Sequence, residues 1–189
     1  MGLTAFGSLG STIKVSSGEY FDFLLPDPAL MTLRNIARPL SRICRFGGHI
    51  PEFYSVAEHC VRATDAAQSR GCTDDQQLAI LMHDAAEAFC GDCVKPLKVL
   101  LGQSYSDVES RIENAIAIAF SIDFKKHDAV IKKFDQAMLI AEKRHFFRED
   151  DTKWYGEDDV LNLRLSIRPW NSREAEIMFT NRFVELWRQ

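Results

Sequence analysis

Leu78-Ala-Ile-Leu-Met-His-Asp-Ala-Ala-Glu-Ala-Phe89 is the stretch on which the reading of this chain turns. It places an imidazole and a carboxylate, His83 and Asp84, side by side on an otherwise apolar segment of helical character. A helix of that composition is expected to be buried. An ionised carboxylate is expensive to bury unless a cation or a hydrogen-bond network compensates it. A metal ion is the usual solution when a histidine adjoins the acid, so His83-Asp84 reads as half of a metal site.

Outward from this stretch the pattern is helical in both directions. Thr73-Asp-Asp-Gln76 is a capping box that opens the helix, and Gly91 is its expected stop. Upstream, Ser55-Val-Ala-Glu58 is another capping box, starting a helix to about Ser69 with Val56, Cys60, Ala63 and Ala67 on one face. Residues 30–42 carry a further helix, with Pro39 in its second half. Downstream, Pro96 to Leu101 reads as a short helix, and Ser106-Asp-Val-Glu109 as the cap of the next. A long helix is expected over about 126–147 and a final one from about Arg173 to Trp187. Tyr20 to Leu25 reads as a short extended segment, and nothing else suggests a sheet. The expected fold class is all-α: a compact single-domain bundle of about six helices over residues 20–189, preceded by a flexible arm over residues 1–19 that is rich in Gly, Ser and Thr.

Composition excludes several classes. The chain of 189 residues is 46% apolar and 26% charged, as an ordinary globular domain is. A formal charge of −4 argues against holding long nucleic acid by general electrostatics, but it permits a single nucleotide. No apolar run is long enough for a bilayer, so no membrane association is expected. The N-terminus lacks the pattern of a secretory signal, and Phe6 stands where a myristoylation signal wants Ser or Thr. The expected location is cytoplasmic, with the five cysteines as free thiols. Cys90-Gly-Asp-Cys93 is an unpaired CxxC outside any βαβ pattern, which argues against a zinc or thioredoxin role.

Three predicted helices each carry a polar residue at the edge of an apolar stripe. His59 stands one turn from both Val56 and Ala63; His83 and Asp84 follow Met82; Asp135 is one turn from Ile131 and Met138. Two imidazoles and two carboxylates make a mixed N/O donor set, and helical bundles often build metal sites from facing helices.

That ordered set resembles the HD-domain metal-dependent phosphohydrolases. Tyr54-Ser-Val-Ala-Glu-His59, His83-Asp-Ala-Ala-Glu87, Gly91-Asp92, Pro96-Leu-Lys98 and Phe134-Asp135 are similar to the branch containing the bacterial 5'-deoxynucleotidases and phage dATP triphosphohydrolases. Arg45-Phe46 matches that branch's Arg-aromatic pair, although the deoxynucleotidases carry Trp where this chain has Phe46. The resemblance covers roughly residues 20–188.

The resemblance implies one divalent metal ion (Mn, Fe, Co, Ni or Zn) held by His59, His83, Asp84 and Asp135. It implies that Glu87 and Asp92 divide the proton transfers, with base and acid unassigned between them. It places Arg45 on phosphate or ribose, Phe46 against the sugar, and Lys98 and Lys95 near phosphate oxygens. The implied activity is hydrolysis of the 5'-phosphate ester of nucleotides, foremost deoxyribonucleoside 5'-monophosphates. The alternatives are a deoxynucleoside triphosphate triphosphohydrolase and a non-catalytic nucleotide-binding or regulatory protein. Among partners, only a nucleotide substrate and a second copy in a homodimer are expected. The Trp154-Tyr155 loop reads either as a cover for the pocket or as a subunit contact.

Overall fold

The computed structural model describes residues 10–148, 152–154 and 156–187. Eight α-helices lie among them: α1 (Leu33–Leu40), α2 (Val56–Gln68), α3 (Asp74–Leu81), α4 (Glu87–Cys90), α5 (Lys95–Leu101), α6 (Gln103–Phe120), α7 (Phe124–Phe146) and α8 (Ser172–Leu186). The only sheet among the described residues is a hairpin of β1 (Thr12–Lys14) and β2 (Tyr20–Asp22), with Ile13 opposite Phe21. The all-α expectation holds. No described helix is long and apolar enough to cross a membrane.

Helix α2 is the centre of the bundle and packs against α3, α7 and α8. Ser55 caps it by accepting from the Glu58 N–H at 3.1 Å. Its faces enter two cores. Val56, Ala57, Cys60 and Val61 join Ile36, Leu40, Leu81, Ile112, Phe179 and Phe183; Ala63, Ala66 and Ala67 join Ile80, Phe134, Met138 and Phe146. Most of its residues are buried, and the alanines let its neighbours approach closely. Each large side chain removed from water here contributes about 1.5–3 kcal/mol before entropy is counted.

Several boundaries differ from the expectation. The helix expected across the His83-Asp84 stretch is two helices, α3 and α4, joined by a turn over residues 82–86. Within it the Ala85 N–H bonds to the Met82 carbonyl and the Glu87 N–H to the Asp84 carbonyl, each 3.0 Å, in the tighter i to i+3 pattern. This division turns one of the seven helical segments marked out by the sequence into two, giving eight among the described residues rather than about six. Ser106 is not a cap. Gly102, at φ 67° and ψ −150°, reverses the chain so sharply that α6 starts at Gln103 and Ser106 lies inside it.

Glu58 does not complete a capping box. It is fully buried, and its carboxylate accepts from Arg62 Nε and from the Trp170 N–H, each at 2.8 Å, tying the strand-like approach to α8 onto α2. The Thr73–Gln76 capping box does form.

The hairpin spans the 19/20 boundary between the expected arm and domain, and residues 1–9 of the arm lie outside the described residues. Phe21 is fully buried, its ring centroid 4.4 Å from that of Phe89. The Ser17 N–H donates to Asn35 Oδ1 on α1 at 2.8 Å, fixing the hairpin turn to the bundle. In and before the Trp154-Tyr155 loop, residues 149–151 and Tyr155 also lie outside the described residues. Trp154 does not stand open. It packs on Phe147 and Phe46, with ring centroids 5.5 and 6.1 Å away.

Candidate metal centre

Three segments converge on one point. His59 is carried on the first turn of α2, His83 and Asp84 in the turn between α3 and α4, and Asp135 in the middle of α7. His59 Nε2 lies 3.3 Å from Asp135 Oδ1 and 3.8 Å from Asp84 Oδ2. His83 Nε2 lies 3.2 Å from Asp84 Oδ2 and 3.6 Å from Asp135 Oδ1. The donor atoms of His59, His83 and Asp84 all fall within 4.8 Å of one another. Donors about 2.0–2.2 Å from one ion stand roughly 3–4 Å apart, which these separations match.

The other ring nitrogens are already engaged. His83 Nδ1 donates to the Ile80 carbonyl at 2.7 Å, and His59 Nδ1 lies 2.6 Å from Glu142 Oε1. Both Nε2 atoms, by contrast, are buried and meet no partner in hydrogen-bond geometry among the described residues. A buried nitrogen left unpaired is costly, and two of them facing carboxylates is the signature of a position that takes a cation. His59, His83 and Asp84 thus form a group able to hold a metal ion, with Asp135 beside both imidazoles.

The charges agree. Burial and the Arg45 charge oppose protonation of His59, but the Glu142 and Asp135 carboxylates outweigh them and raise its pKa. Burial likewise opposes protonation of His83, and Asp84 and Asp135 drive its pKa well up. Burial pushes Asp135 up, yet the two imidazoles hold it well below the usual carboxylate range. The centre attracts positive charge.

Around this centre stand the other expected residues. Arg45 begins a short 3-10 turn, Arg45–Gly48, and is only 8% exposed. Its guanidinium reaches Asp84 Oδ2 at 3.5 Å and Glu142 Oε2 at 3.2 Å. Its Nε is buried with no partner among the described residues. Phe46 follows at φ 58°, a left-handed conformation unfavourable for an aromatic residue, with its ring centroid 5.4 Å from the Arg45 guanidinium carbon. That strain is what lets consecutive residues send a guanidinium inward and a ring toward Phe147 and Trp154.

Glu87 opens α4, 4% exposed, with Oε1 3.7 Å from Lys98 Nζ and Oε2 buried without a partner among the described residues. Burial, then the nearby Asp84 and Asp92 carboxylates, push its pKa up to about 9, against the pull of Arg45 and Lys98. Burial raises Asp92 as well, reinforced by Asp84 and opposed by Arg45, His59 and Lys98. Gly91, at φ 81°, turns the chain that carries Asp92 back toward this group. Lys98 on α5 sits 2.6 Å from Glu109 on α6. Lys95 is the exposed first residue of α5. Cys90 and Cys93 are free thiols.

Glu142 was not among the residues expected at this site. It is fully buried on α7, two turns beyond Asp135 and on the same inward stripe as Met138. An acid at that position of an apolar stripe was the available signal.

No family model matches the chain. It is 32% identical over 179 residues to the uncharacterized protein YfdR of Escherichia coli strain K12, the match covering 93% of this chain and 96% of that protein. It is 30% identical over 186 residues to an uncharacterized protein of Rhodobacter capsulatus, covering 93% of this chain and 95% of that one. Two such full-length matches mean that the chain belongs to the protein family that includes Escherichia coli YfdR.

Proposed function

We propose that this protein is an HD-domain phosphohydrolase that cleaves the 5'-phosphate ester of deoxyribonucleoside 5'-monophosphates, using one divalent ion held by His59, His83, Asp84 and Asp135. The observation that carries the proposal is the pair of buried, unpartnered Nε2 atoms facing two carboxylates. A divalent ion bound there supplies a Lewis acid for the phosphoryl group and lowers the pKa of bound water.

The chain's own residues supply the rest. Burial and the neighbouring carboxylates favour the protonated form of Glu87, which can donate its proton to the departing 5'-oxygen. Asp92 is then the group that takes the proton of the attacking water. Arg45 is held in place by Glu142 and Asp84, and its free Nε–H is a donor for a substrate oxygen. The Phe46 ring, beside Arg45, is the apolar wall for the sugar. Among the described residues, Arg45 reaches Asp84 and Glu142, and Lys98 lies near Glu87 while paired with Glu109.

A panel of nucleoside mono-, di- and triphosphates, assayed with Mn, Co, Fe, Ni and Zn, tests the reading. Release of inorganic phosphate from deoxynucleoside monophosphates is expected. Triphosphate release would move the activity to the alternative hydrolase, and no product with any metal would reject hydrolysis.

A further inference from the structure

We propose that Glu142 is a positioning residue for both halves of the site: one carboxylate oxygen aims the His59 imidazole and the other anchors Arg45. The inference rests on the metal-site reading above. Glu142 Oε1 lies 2.6 Å from His59 Nδ1, and Oε2 lies 3.2 Å from an Arg45 terminal nitrogen. Its side chain has no exposure to solvent. Beside a guanidinium that is always charged, the carboxylate is ionised and can only accept hydrogen bonds. In the neutral form that ligation requires, the single His59 proton therefore sits on Nδ1, and the Nε2 lone pair is left for the ion beside Asp84 and Asp135. A metal ion binds only that lone pair, so Glu142 selects the tautomer the centre needs.

The same carboxylate makes the two functions interdependent. Arg45 reaches Asp84, a member of the donor group, with one nitrogen and Glu142 with another. Glu142 thus joins the histidine that faces the ion to the arginine that faces the phosphate. Glu58 is the internal comparison. It is equally buried in α2 and equally bound to an arginine, Arg62, but its other contact is the Trp170 N–H. Loss of Glu58 measures what a buried acid contributes to the fold alone.

The test is the affinity for Zn²⁺ and Mn²⁺, measured by competition with a chromophoric chelator, for wild type, Glu142→Gln and Glu58→Gln. Glu142→Gln is expected to weaken metal binding about 10- to 100-fold, the usual loss when a partner of a ligating histidine is removed. Glu58→Gln should lower the melting temperature and leave metal affinity unchanged. Equal metal affinity in Glu142→Gln and wild type overturns the proposal. If Glu142→Gln does not fold, nitrogen NMR of the Zn²⁺-loaded wild-type protein decides: a protonated Nδ1 on His59 supports the role, and a protonated Nε2 overturns it. Wild-type protein that binds no divalent ion overturns this inference and the metal reading together, whereas unchanged affinity in the variant removes only the role of Glu142. None of these measurements depends on nucleotide turnover.

Discussion

His83 and Asp84 are consecutive residues, yet the Asp84 Oδ2 atom lies 3.2 Å from the His83 Nε2 atom. Neighbours i and i+1 on a regular helix diverge and do not face each other. They meet here because the helix breaks over residues 82–86, where bonding tightens to the i to i+3 pattern. The break converts two adjacent residues into two donors for one position.

The first expectation is for metal content. Elemental analysis should find about one divalent ion per purified chain, and Asp84→Ala should abolish it. An ion at 1,000 times its Kd stabilises a fold by about 4 kcal/mol, so chelation should lower the melting temperature of wild type and leave that of Asp84→Ala unmoved. An unchanged metal content in Asp84→Ala would sink the ligand assignment.

Glu87 should make both turnover and stability depend on pH. As a proton donor it is competent only while protonated, so kcat of the metal-loaded enzyme should fall on the alkaline side as Glu87 ionises. Glu87→Ala should keep the metal and lose about 10²–10⁴-fold in turnover. The stability sign follows from linkage. The folded pKa of about 9 lies above the usual 4.5, so the folded state holds a proton that the unfolded chain gives up between those values. The contribution of Glu87 is fully present below pH 4.5 and is lost progressively as pH rises to 9. In metal-free protein, Glu87→Gln should therefore gain stability over wild type as pH is raised from 5 to 9, read by urea unfolding at each pH. A difference that does not grow with pH would show that Glu87 is ionised throughout.

Phe46 should govern the choice of sugar. A ribose 2'-hydroxyl placed against its ring would be buried without a partner, at about 1–3 kcal/mol, or roughly 5- to 150-fold in kcat/KM. Phe46→Ala should shrink the ratio of dAMP to AMP hydrolysis more than it slows dAMP. Equal kcat/KM for the two nucleotides in wild type would defeat the sugar-wall role and leave metal-dependent hydrolysis standing.

Phe179 tests the scaffold apart from the site. Its side chain is fully buried in the core where α8 meets α2 and α3. Phe179→Ala should cost about 3–5 kcal/mol in unfolding free energy. The metal content of the folded fraction should not change, because no centre residue is carried on α8.

Much of the site was legible because its residues break a pattern. His59, His83 and Asp135 interrupt apolar stripes of 3.6-residue period, and such interruptions are visible without any tertiary knowledge. Ser55 and Thr73 mark helix starts because a hydroxyl there satisfies an otherwise unpaired N–H, a strictly local event. The break at residues 82–86 was not legible. Met82, Ala85 and Ala86 are good helix formers, and only burial of all three between the segments that pack on α3 and α4 overrides their preference. The hairpin was half legible: the extended character of Tyr20–Asp22 showed, but its pairing with Thr12–Lys14 depends on Phe21 finding Phe89.

The sequence by itself determined the helical class and the position of most helices, and it singled out His59, His83, Asp84 and Asp135 as candidate ligands, because each depends on periodicity, capping or neighbours within a few residues. Only the tertiary structure decided that Glu58 is a structural clamp and Glu142 a partner of the site. Both are acids on inward helix faces, and sequence cannot tell them apart. Their roles follow from what stands opposite them, Trp170 for one and His59 with Arg45 for the other, and a buried carboxylate is tolerated only where such donors arrive from distant parts of the chain.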